Sequence, residues 1–157
     1  MDLFEEFIGV VTALKAANIE FAVCGGFAMA LHGLPRFTKD IDLLVRPEDL
    51  ELIVATVKPH GFDFDAGFMT FGIGTNRETR IRRINKLIGS EYLTLDLLIV
   101  GSELADVWAL KTDFVLRNFT VPAVSATGLI KMKRIAGRPQ DLVDIDRLGF
   151  KINESTD

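Results

Sequence analysis

The stretch from Val23 to Leu43 reads Val-Cys-Gly-Gly-Phe-Ala-Met-Ala-Leu-His-Gly-Leu-Pro-Arg-Phe-Thr-Lys-Asp-Ile-Asp-Leu. The run from Glu20 to Cys24 ends in a glycine pair, and a second apolar run, 41–45, is interrupted only by Asp42. Both runs are typical of short buried strands, and residues 27–31 between them are typical of a helix. A charge inside an apolar strand costs several kcal/mol unless another group compensates it. The presence of Asp42 within an apolar strand therefore predicts a functional site on that strand.

Asp96 interrupts the strand-like run 93–100 in the same way. Strand residues two apart project from one face, so Asp40 and Asp42 form a carboxylate pair. With Asp96 on a neighbouring strand they would form a cluster of three negative charges, which is tolerable mainly around a divalent cation. Oxygen ligands favour Mg²⁺ or Mn²⁺. The alternative is that Asp40 ends a turn, Asp42 points to solvent and Asp96 pairs with an arginine.

The glycine pair, Gly25 and Gly26, lies between a predicted strand and a predicted helix. Small residues at such a junction expose backbone N–H groups, and that geometry binds phosphate. Tight turns and close packing also require glycine, so packing remains an alternative. The spacing matches neither a P-loop nor a dinucleotide-binding fingerprint.

The rest of the chain alternates helical and strand-like segments. Helices are predicted from Asp2 to near Asn18, from Pro47 to Gly61, from Ser102 to Leu110, from Ser125 to Gly137 and from Pro139 through Leu148. One or two hairpins are predicted over 62–87, and one or two strands over 113–121. The predicted fold class is α/β (α+β), with a mixed central sheet flanked by helices, in a single domain over residues 1–157.

Composition limits the classes of protein that the chain can belong to. The 157 residues carry a net charge of -4 and one cysteine, and the longest stretch without a charged side chain, 21–35, has 15 residues. A membrane span needs about 20. The N-terminus has no secretory pattern, so we expect a cytoplasmic protein without a membrane partner.

One segment, 77–86, departs from this acidic average with a net charge of +4. Its basic residues are Arg77, Arg80, Arg82, Arg83 and Lys86. They could guide an RNA or nucleotide acceptor, or they could be the solvated face of a hairpin. The neighbouring Phe62, Phe64, Phe68 and Phe71 are candidates for base stacking or for core filling.

The glycine pair, the Asp-Ile-Asp triplet that follows after thirteen intervening residues and the third carboxylate at Asp96 together resemble the signature of the DNA polymerase β-like nucleotidyltransferase superfamily. The fuller string from Gly25 to Leu43 is similar to the small bacterial branch related to the AbiEii abortive-infection toxins. The segments 129–133 and 136–144 are similar to the closing motif of that branch. The resemblance spans residues 20–148.

The resemblance implies a metal-dependent transfer of a nucleoside monophosphate from a nucleoside triphosphate, ATP among them, to a hydroxyl of RNA, tRNA or a protein. It implies that Asp40 and Asp42 bridge two metal ions. Asp96 would bind the metal that activates the attacking hydroxyl, and would orient that hydroxyl or accept its proton. A cognate antitoxin is the implied partner.

The resemblance also implies a set of phosphate-binding residues. Gly25 and Gly26 would hold the β- and γ-phosphates, and Arg36 would reach a phosphate. Thr38 would shape the turn before the metal motif, and Lys133 would neutralise phosphate charge, unless it lies on a solvated helix face. Phe27 stands where many catalytic members of the family have a serine. Family positions are also matched by Arg138, Asp141 and Asp144, which would serve either as ligands or as an ion-pair network.

Three functions are therefore open from sequence. The leading one is a nucleotidyltransferase, for which the resemblance implies a role as the toxin of a toxin–antitoxin or phage-defence system. The second is a catalytically silent relative that binds a nucleotide or a partner protein, and the third is a structural module. Three carboxylates kept in apolar strands favour the first, because a chain free of catalysis has no physical need for them.

Overall fold

A computed structural model describes residues 2–35 and 37–156, which form one seven-stranded mixed sheet flanked by helices. The strands are β1 (Ala22–Cys24), β2 (Asp40–Val45), β3 (Phe62–Phe71), β4 (Thr79–Ile88), β5 (Glu91–Ile99), β6 (Thr112–Leu116) and β7 (Phe119–Ala123). Their order across the sheet is β3-β4-β5-β2-β1-β7-β6. The predicted fold class, an α/β (α+β) mixed sheet with flanking helices, is confirmed.

Within the described residues, six α-helices accompany the sheet. They are α1 (Leu3–Ala16), α2 (Gly25–Leu31), α3 (Leu50–Val57), α4 (Ala105–Ala109), α5 (Ala126–Ala136) and α6 (Pro139–Thr156). Short 3₁₀ turns flank α3 on both sides and precede α4. The predicted hairpin region 62–87 is the hairpin β3–β4, whose second strand also forms a hairpin with β5, and 113–121 falls within the hairpin β6–β7.

The core is built from residues whose apolar spacing was visible in the sequence. On α1, Phe7, Val10, Val11 and Leu14 are buried, and the Asp2 carboxylate caps the helix by accepting a hydrogen bond from the Glu5 N–H. The central strands β1, β2 and β5 pack against this helix and its neighbours as one apolar cluster. The polar residues of β2 and β5 are therefore exceptions within the most buried part of the sheet.

The two C-terminal helices meet at a glycine. The Ser125 hydroxyl caps α5 by accepting a hydrogen bond from the Gly128 N–H, and Gly137 ends that helix with φ +67°. The last helix is longer than predicted, because α6 continues beyond Leu148 to Thr156. A glycine inside a helix costs about 1 kcal/mol relative to alanine, which is too little for Gly149 to end α6.

Helices can cross a bilayer only when they are long and apolar enough. Across residues 2–35 and 37–156, none of them combines the length and apolarity that a bilayer crossing requires.

Candidate active site

Three carboxylates lie on one face of the central sheet. Asp40 and Asp42 are on β2, and Asp96 is on β5, which pairs with β2 in parallel register with Asp42 opposite Asp96. Register partners and residues two apart share a face of a sheet. The structure therefore places all three aspartates that the sequence singled out on the same face of the sheet.

The electrostatics of Asp42 reflect this crowding. Burial raises its pKa to about 7, and the negative charges of Asp96 and Asp40 act in the same direction. Burial and the charge of Asp96 also raise the pKa of Asp40. A bound cation would relieve both effects, because it stabilises the charged form of each carboxylate.

The backbone of Gly25 lies directly against Asp42. A Cβ atom added to Gly25 would lie 2.2 Å from Asp42 Oδ2, and Gly25 has φ +65°. Only a residue without a side chain fits there, so the chain between β1 and α2 approaches the carboxylate as closely as backbone can. This contact connects the predicted phosphate-binding segment to the predicted metal-binding segment.

Gly26 is limited by a different neighbour. A Cβ atom added there would lie 2.6 Å from Thr38 Cβ. Thr38 Oγ1 donates a hydrogen bond to the Asp40 carbonyl at 3.1 Å and accepts one from the Asp40 N–H at 3.4 Å. Thr38 thus shapes the turn into β2 while packing against the glycine. Arg36, the remaining predicted residue of this loop, lies outside the described residues.

Lys133 is buried rather than solvated. Its Nζ donates a hydrogen bond to Asp144 Oδ2 at 3.0 Å and lies 3.8 Å from Asp141 Oδ1. Arg138 Nε donates to Asp141 Oδ2 at 2.8 Å. Burial tends to raise the pKa of Asp141, but hydrogen bonds from Arg138 outweigh it and the pKa is lowered. These four residues form an ion-pair network that joins α5 to α6.

Asp96 already has a cationic partner. Arg83 Nε donates to Asp96 Oδ1 at 2.8 Å, and Arg83 Nη2 donates to Oδ2 at 2.9 Å. The pairing is in register, with Arg83 on β4 opposite Asp96 on β5. The sequence analysis left an arginine partner for Asp96 open as an alternative, but it did not identify Arg83, because that choice depends on strand register.

The donor set fits a divalent cation in part. Within residues 2–35 and 37–156, no three acidic, cysteine or histidine side chains converge as a ready metal site. Asp40 and Asp42 fit the chemistry, since they are crowded carboxylates with raised pKa values. Asp96 would have to share its oxygens with Arg83 or release it.

A cavity of about 350 Å³ opens beside the carboxylate pair. The residues that line it are Gly25, Gly26, Phe37, Thr38, Lys39, Asp40, Asp42, Lys133 and Arg138. We call this the carboxylate cavity. It combines two acidic side chains, three basic ones and glycine backbone, a mixture suited to a phosphate chain with a cation. Phe37 and Lys39 were not assigned to the site from sequence, although they lie three residues and one residue before Asp40.

The basic segment 77–86 is largely used within the fold. Arg82 forms ion pairs with Asp65 and Glu51. Lys86 forms an ion pair with Glu6, and Arg83 is held by Asp96. Within the part of the chain that the structure describes, Arg77 and Arg80 form no ion pair with an acidic side chain.

The aromatic residues beside that segment divide into two groups. Phe62 is 1% exposed and belongs to the core, so it cannot stack on a base. Phe64, Phe68 and Phe71 are about half exposed. The guanidinium groups of Arg80 and Arg82 lie 4.9 and 4.7 Å from the centre of the Phe68 ring.

The fold is that of several nucleotidyltransferases. A Thermotoga maritima protein assigned as a nucleotidyltransferase, TM1012, has the same fold, with a TM-score of 0.65, 15% identity, and coverage of 97% of this chain and 93% of that one. The lincosamide antibiotic adenylyltransferase LnuA, bound to lincomycin, matches with a TM-score of 0.62, 11% identity, and coverage of 92% and 95%. ANT(2'')-Ia, in complex with adenylyl-2''-tobramycin, matches with a TM-score of 0.55, 18% identity, and coverage of 93% and 84%.

Residues 11–149 match the family described as "Nucleotidyl transferase AbiEii toxin, Type IV TA system". The chain belongs to this AbiEii nucleotidyltransferase toxin family. The sequence-based prediction of the superfamily and of the branch is confirmed, and so is the prediction of a nucleotidyltransferase enzyme. Among curated proteins, none matches the chain significantly.

Proposed function

We propose that this protein transfers a nucleoside monophosphate from a nucleoside triphosphate to a hydroxyl of RNA, tRNA or a protein, with residues 1–157 acting as one nucleotidyltransferase domain. The observation that carries the proposal is the contact of Gly25 with Asp42, which brings bare backbone and a crowded carboxylate into one cavity. Two of the similar structures are named for adenylyl transfer, which makes ATP the first donor to test.

Asp40 and Asp42 are the residues proposed to hold Mg²⁺ or Mn²⁺, with Asp96 as the third carboxylate. A bound divalent cation would neutralise charge on the reacting phosphate and acidify the attacking hydroxyl. The raised pKa values of Asp40 and Asp42 support this role, because uncompensated carboxylates favour a cation.

The remaining residues of the carboxylate cavity would orient the phosphate chain. Main-chain N–H groups of Gly25 and Gly26 would hold the β- and γ-phosphates, and Lys133 would face their negative charge. Arg36 is proposed as a further phosphate ligand, and Thr38 fixes the turn that carries Asp40. Such positioning and charge stabilisation supply most of the catalysis in phosphoryl transfer.

The bond changes follow from this placement. The acceptor oxygen forms a bond to the α-phosphorus, and the bond from that phosphorus to the oxygen bridging to the β-phosphate breaks. Pyrophosphate leaves with the electron pair of the broken bond. The hydroxyl proton is released toward Asp96, whose side chain lies on the same sheet face as Asp42.

We propose a cytoplasmic toxin with a cognate antitoxin as its partner. The family description, which names a toxin of a type IV toxin–antitoxin system, supports this role. Expression of the wild-type chain and of Asp42→Asn in the same bacterial host tests it. Growth arrest by the wild type alone would support a toxin that acts by transfer, and arrest by both chains would contradict it.

The transfer itself is tested with the four nucleoside triphosphates labelled at the α-phosphate. Each is incubated with Mg²⁺, the protein and either a total tRNA pool or a bacterial protein extract. Wild type should transfer label to one acceptor class, and Asp42→Asn should not. Asp113→Asn is the matched control, because Asp113 is an exposed acid on β6 outside the carboxylate cavity. Equal transfer by Asp42→Asn and wild type would contradict the proposed site.

A further inference from the structure

Phe37 is an exposed aromatic ring at the carboxylate cavity. It lines the cavity, and its side chain is 81% exposed. Among the described residues that line the cavity it is the aromatic one, and the others are glycines, a threonine and charged side chains. The exposed ring of Phe37 is not packed in the core, so it is available to contact a ligand.

The backbone that carries Phe37 is fixed to the proposed phosphate site. The next residue, Thr38, packs against Gly26 and exchanges hydrogen bonds with the main chain of Asp40. Three residues of extended chain span at most about 10 Å, so Phe37 lies within that distance of Asp40 along the backbone. The distance suits a group joined to the α-phosphate through one sugar.

The size and polarity of the cavity limit what it can enclose. Its volume is about 350 Å³, near the lower end of the roughly 300–1,000 Å³ that ligand pockets span. Phosphates and a cation suit its charged lining, whereas a flat apolar base does not. A nucleotide bound through its phosphates would therefore leave its base near the mouth, where Phe37 lies.

One cation lies near the Phe37 ring without covering it. Lys39 Nζ is 5.9 Å from the ring centre, close to the limit of about 6 Å for a cation–π contact. That contact is weak at an exposed site, and an ammonium group can occupy only one of the two ring faces. A base can therefore stack on the ring without breaking a strong interaction.

We propose that Phe37 is the stacking platform for the base of the nucleoside triphosphate. This inference rests on the proposed function and adds a base subsite to it. Stacking on an aromatic side chain tolerates every base, because each base has a π face. Phe37 would therefore strengthen binding of all four triphosphates, while other contacts would have to select among them.

The test compares ligands with and without a base. Binding of a non-hydrolysable nucleoside triphosphate analogue and of inorganic tripolyphosphate, both with Mg²⁺, is measured calorimetrically on wild type, Phe37→Ala, Phe37→Leu and Phe37→Trp. Phe150→Ala is the matched control, because Phe150 is 73% exposed on α6 and does not line the carboxylate cavity. Melting temperatures on the same samples establish that each variant is folded.

Loss of one stacked ring costs about 1–3 kcal/mol, so Phe37→Ala and Phe37→Leu should weaken binding of the nucleotide analogue about 5- to 150-fold. Tripolyphosphate affinity should stay unchanged, and Phe37→Trp should bind the analogue at least as tightly as wild type. Unchanged analogue affinity in Phe37→Ala would overturn the stacking proposal, as would an equal loss of affinity for tripolyphosphate. If wild type bound neither the analogue nor tripolyphosphate, the proposed function itself would fail, and the base subsite with it.

Discussion

Arg83 donates hydrogen bonds to both carboxylate oxygens of Asp96, and the two residues are register partners on β4 and β5. Asp96 is 5% exposed, so the guanidinium supplies charge compensation that water cannot. The Arg83 guanidinium also feels the charges of Asp40 and Asp42. Any cation that binds Asp96 must share this carboxylate with Arg83 or displace it.

Replacing Arg83 with glutamine should make stability depend on Mg²⁺. In EDTA, Arg83→Gln leaves three crowded carboxylates, and we expect the free energy of unfolding to fall by about 1–3 kcal/mol. Added Mg²⁺ should recover part of that loss and bind more tightly than to wild type, as measured by urea denaturation and calorimetry. Arg117→Gln, which removes an exposed ion pair with Glu5, is the control and should cost less than about 1 kcal/mol. The same loss with and without Mg²⁺ would argue against competition for Asp96.

The stability of the metal-free protein should fall as pH rises. The pKa of Asp42 is raised to about 7 in the folded chain, whereas an unfolded aspartate titrates near about 3.9. Between these values the folded state holds a proton that the unfolded state has lost, so stability decreases with pH by at most about 1.4 kcal/mol per unit. Urea denaturation in EDTA between about pH 5 and 8 measures this slope.

The Asp42→Asn variant and Mg²⁺ supply the controls for that slope. Asp42→Asn should flatten the decline, because it removes the titrating carboxyl and one of three repelling charges. Mg²⁺ should stabilise wild type most at the upper end of the range, where Asp42 is ionised. An Asp42→Asn variant with the wild-type slope would assign the pH dependence to other groups.

Lys133 should contribute far more to stability than its helix neighbour Lys131. Lys133→Met leaves Asp141 and Asp144 buried without its ammonium group, and we expect a loss of about 3 kcal/mol. Lys131→Met removes an exposed pair with Asp106 and should cost less than about 1 kcal/mol. Chemical denaturation measures both. Similar losses of stability for the two variants would contradict the stabilising role of the buried ion-pair network of Lys133.

Substitutions of Arg80 and Arg82 on the β3–β4 hairpin should differ in their effect on stability. Arg82→Glu should lower the melting temperature, because it places a third carboxylate beside Asp65 and Glu51. Arg80→Glu should leave the fold intact, since the Arg80 side chain contacts the Phe68 ring and forms no ion pair with an acidic side chain among residues 2–35 and 37–156. If the acceptor is RNA and lies along this hairpin, Arg80→Glu should weaken RNA binding and flatten its salt dependence.

Arg77 is the second arginine to vary in that experiment. A Cβ atom added to Gly137 would lie 3.3 Å from Arg77 Nη1, so this guanidinium lies beside the α5–α6 turn, next to a residue that lines the carboxylate cavity. Melting temperature and RNA affinity are measured on the same samples of Arg77→Glu, Arg80→Glu and Arg82→Glu. Folded Arg77→Glu and Arg80→Glu variants that bind RNA as before would remove the hairpin from the acceptor site.

The sequence predicted local features well because their causes are local. The strand containing Asp42, the glycine-headed helix α2 and the caps at Asp2 and Ser125 depend on residues a few positions apart. The expectation that Asp96 lies on a strand neighbouring that of Asp42 is met by β5 beside β2, but the parallel direction of that pair was not predicted.

Contacts between distant strands were not predictable in the same way. Whether Arg82 or Arg83 meets Asp96 depends on the register of β4 against β5, and a shift of one residue would reverse it. The burial of Lys133 depends on how α6 packs on α5, which charge patterning along one helix does not define. The cavity position of Phe37 depends on the turn held by Thr38.

The contact between Gly25 and Asp42 makes the residues that evolution can accept at position 25 depend on the residue at position 42. The carboxylate occupies the space that any larger residue at position 25 would need. A descendant that lost transfer through Asp42→Ala would lose the two nearest atoms of that side chain, and position 25 would then be limited by the remaining Cβ at 3.0 Å and by its positive φ, which asparagine tolerates. Drift from glycine to asparagine at position 25 is therefore open only to lineages in which the carboxylate has already gone, so asparagine at this position would mark a relative whose ancestor had lost it.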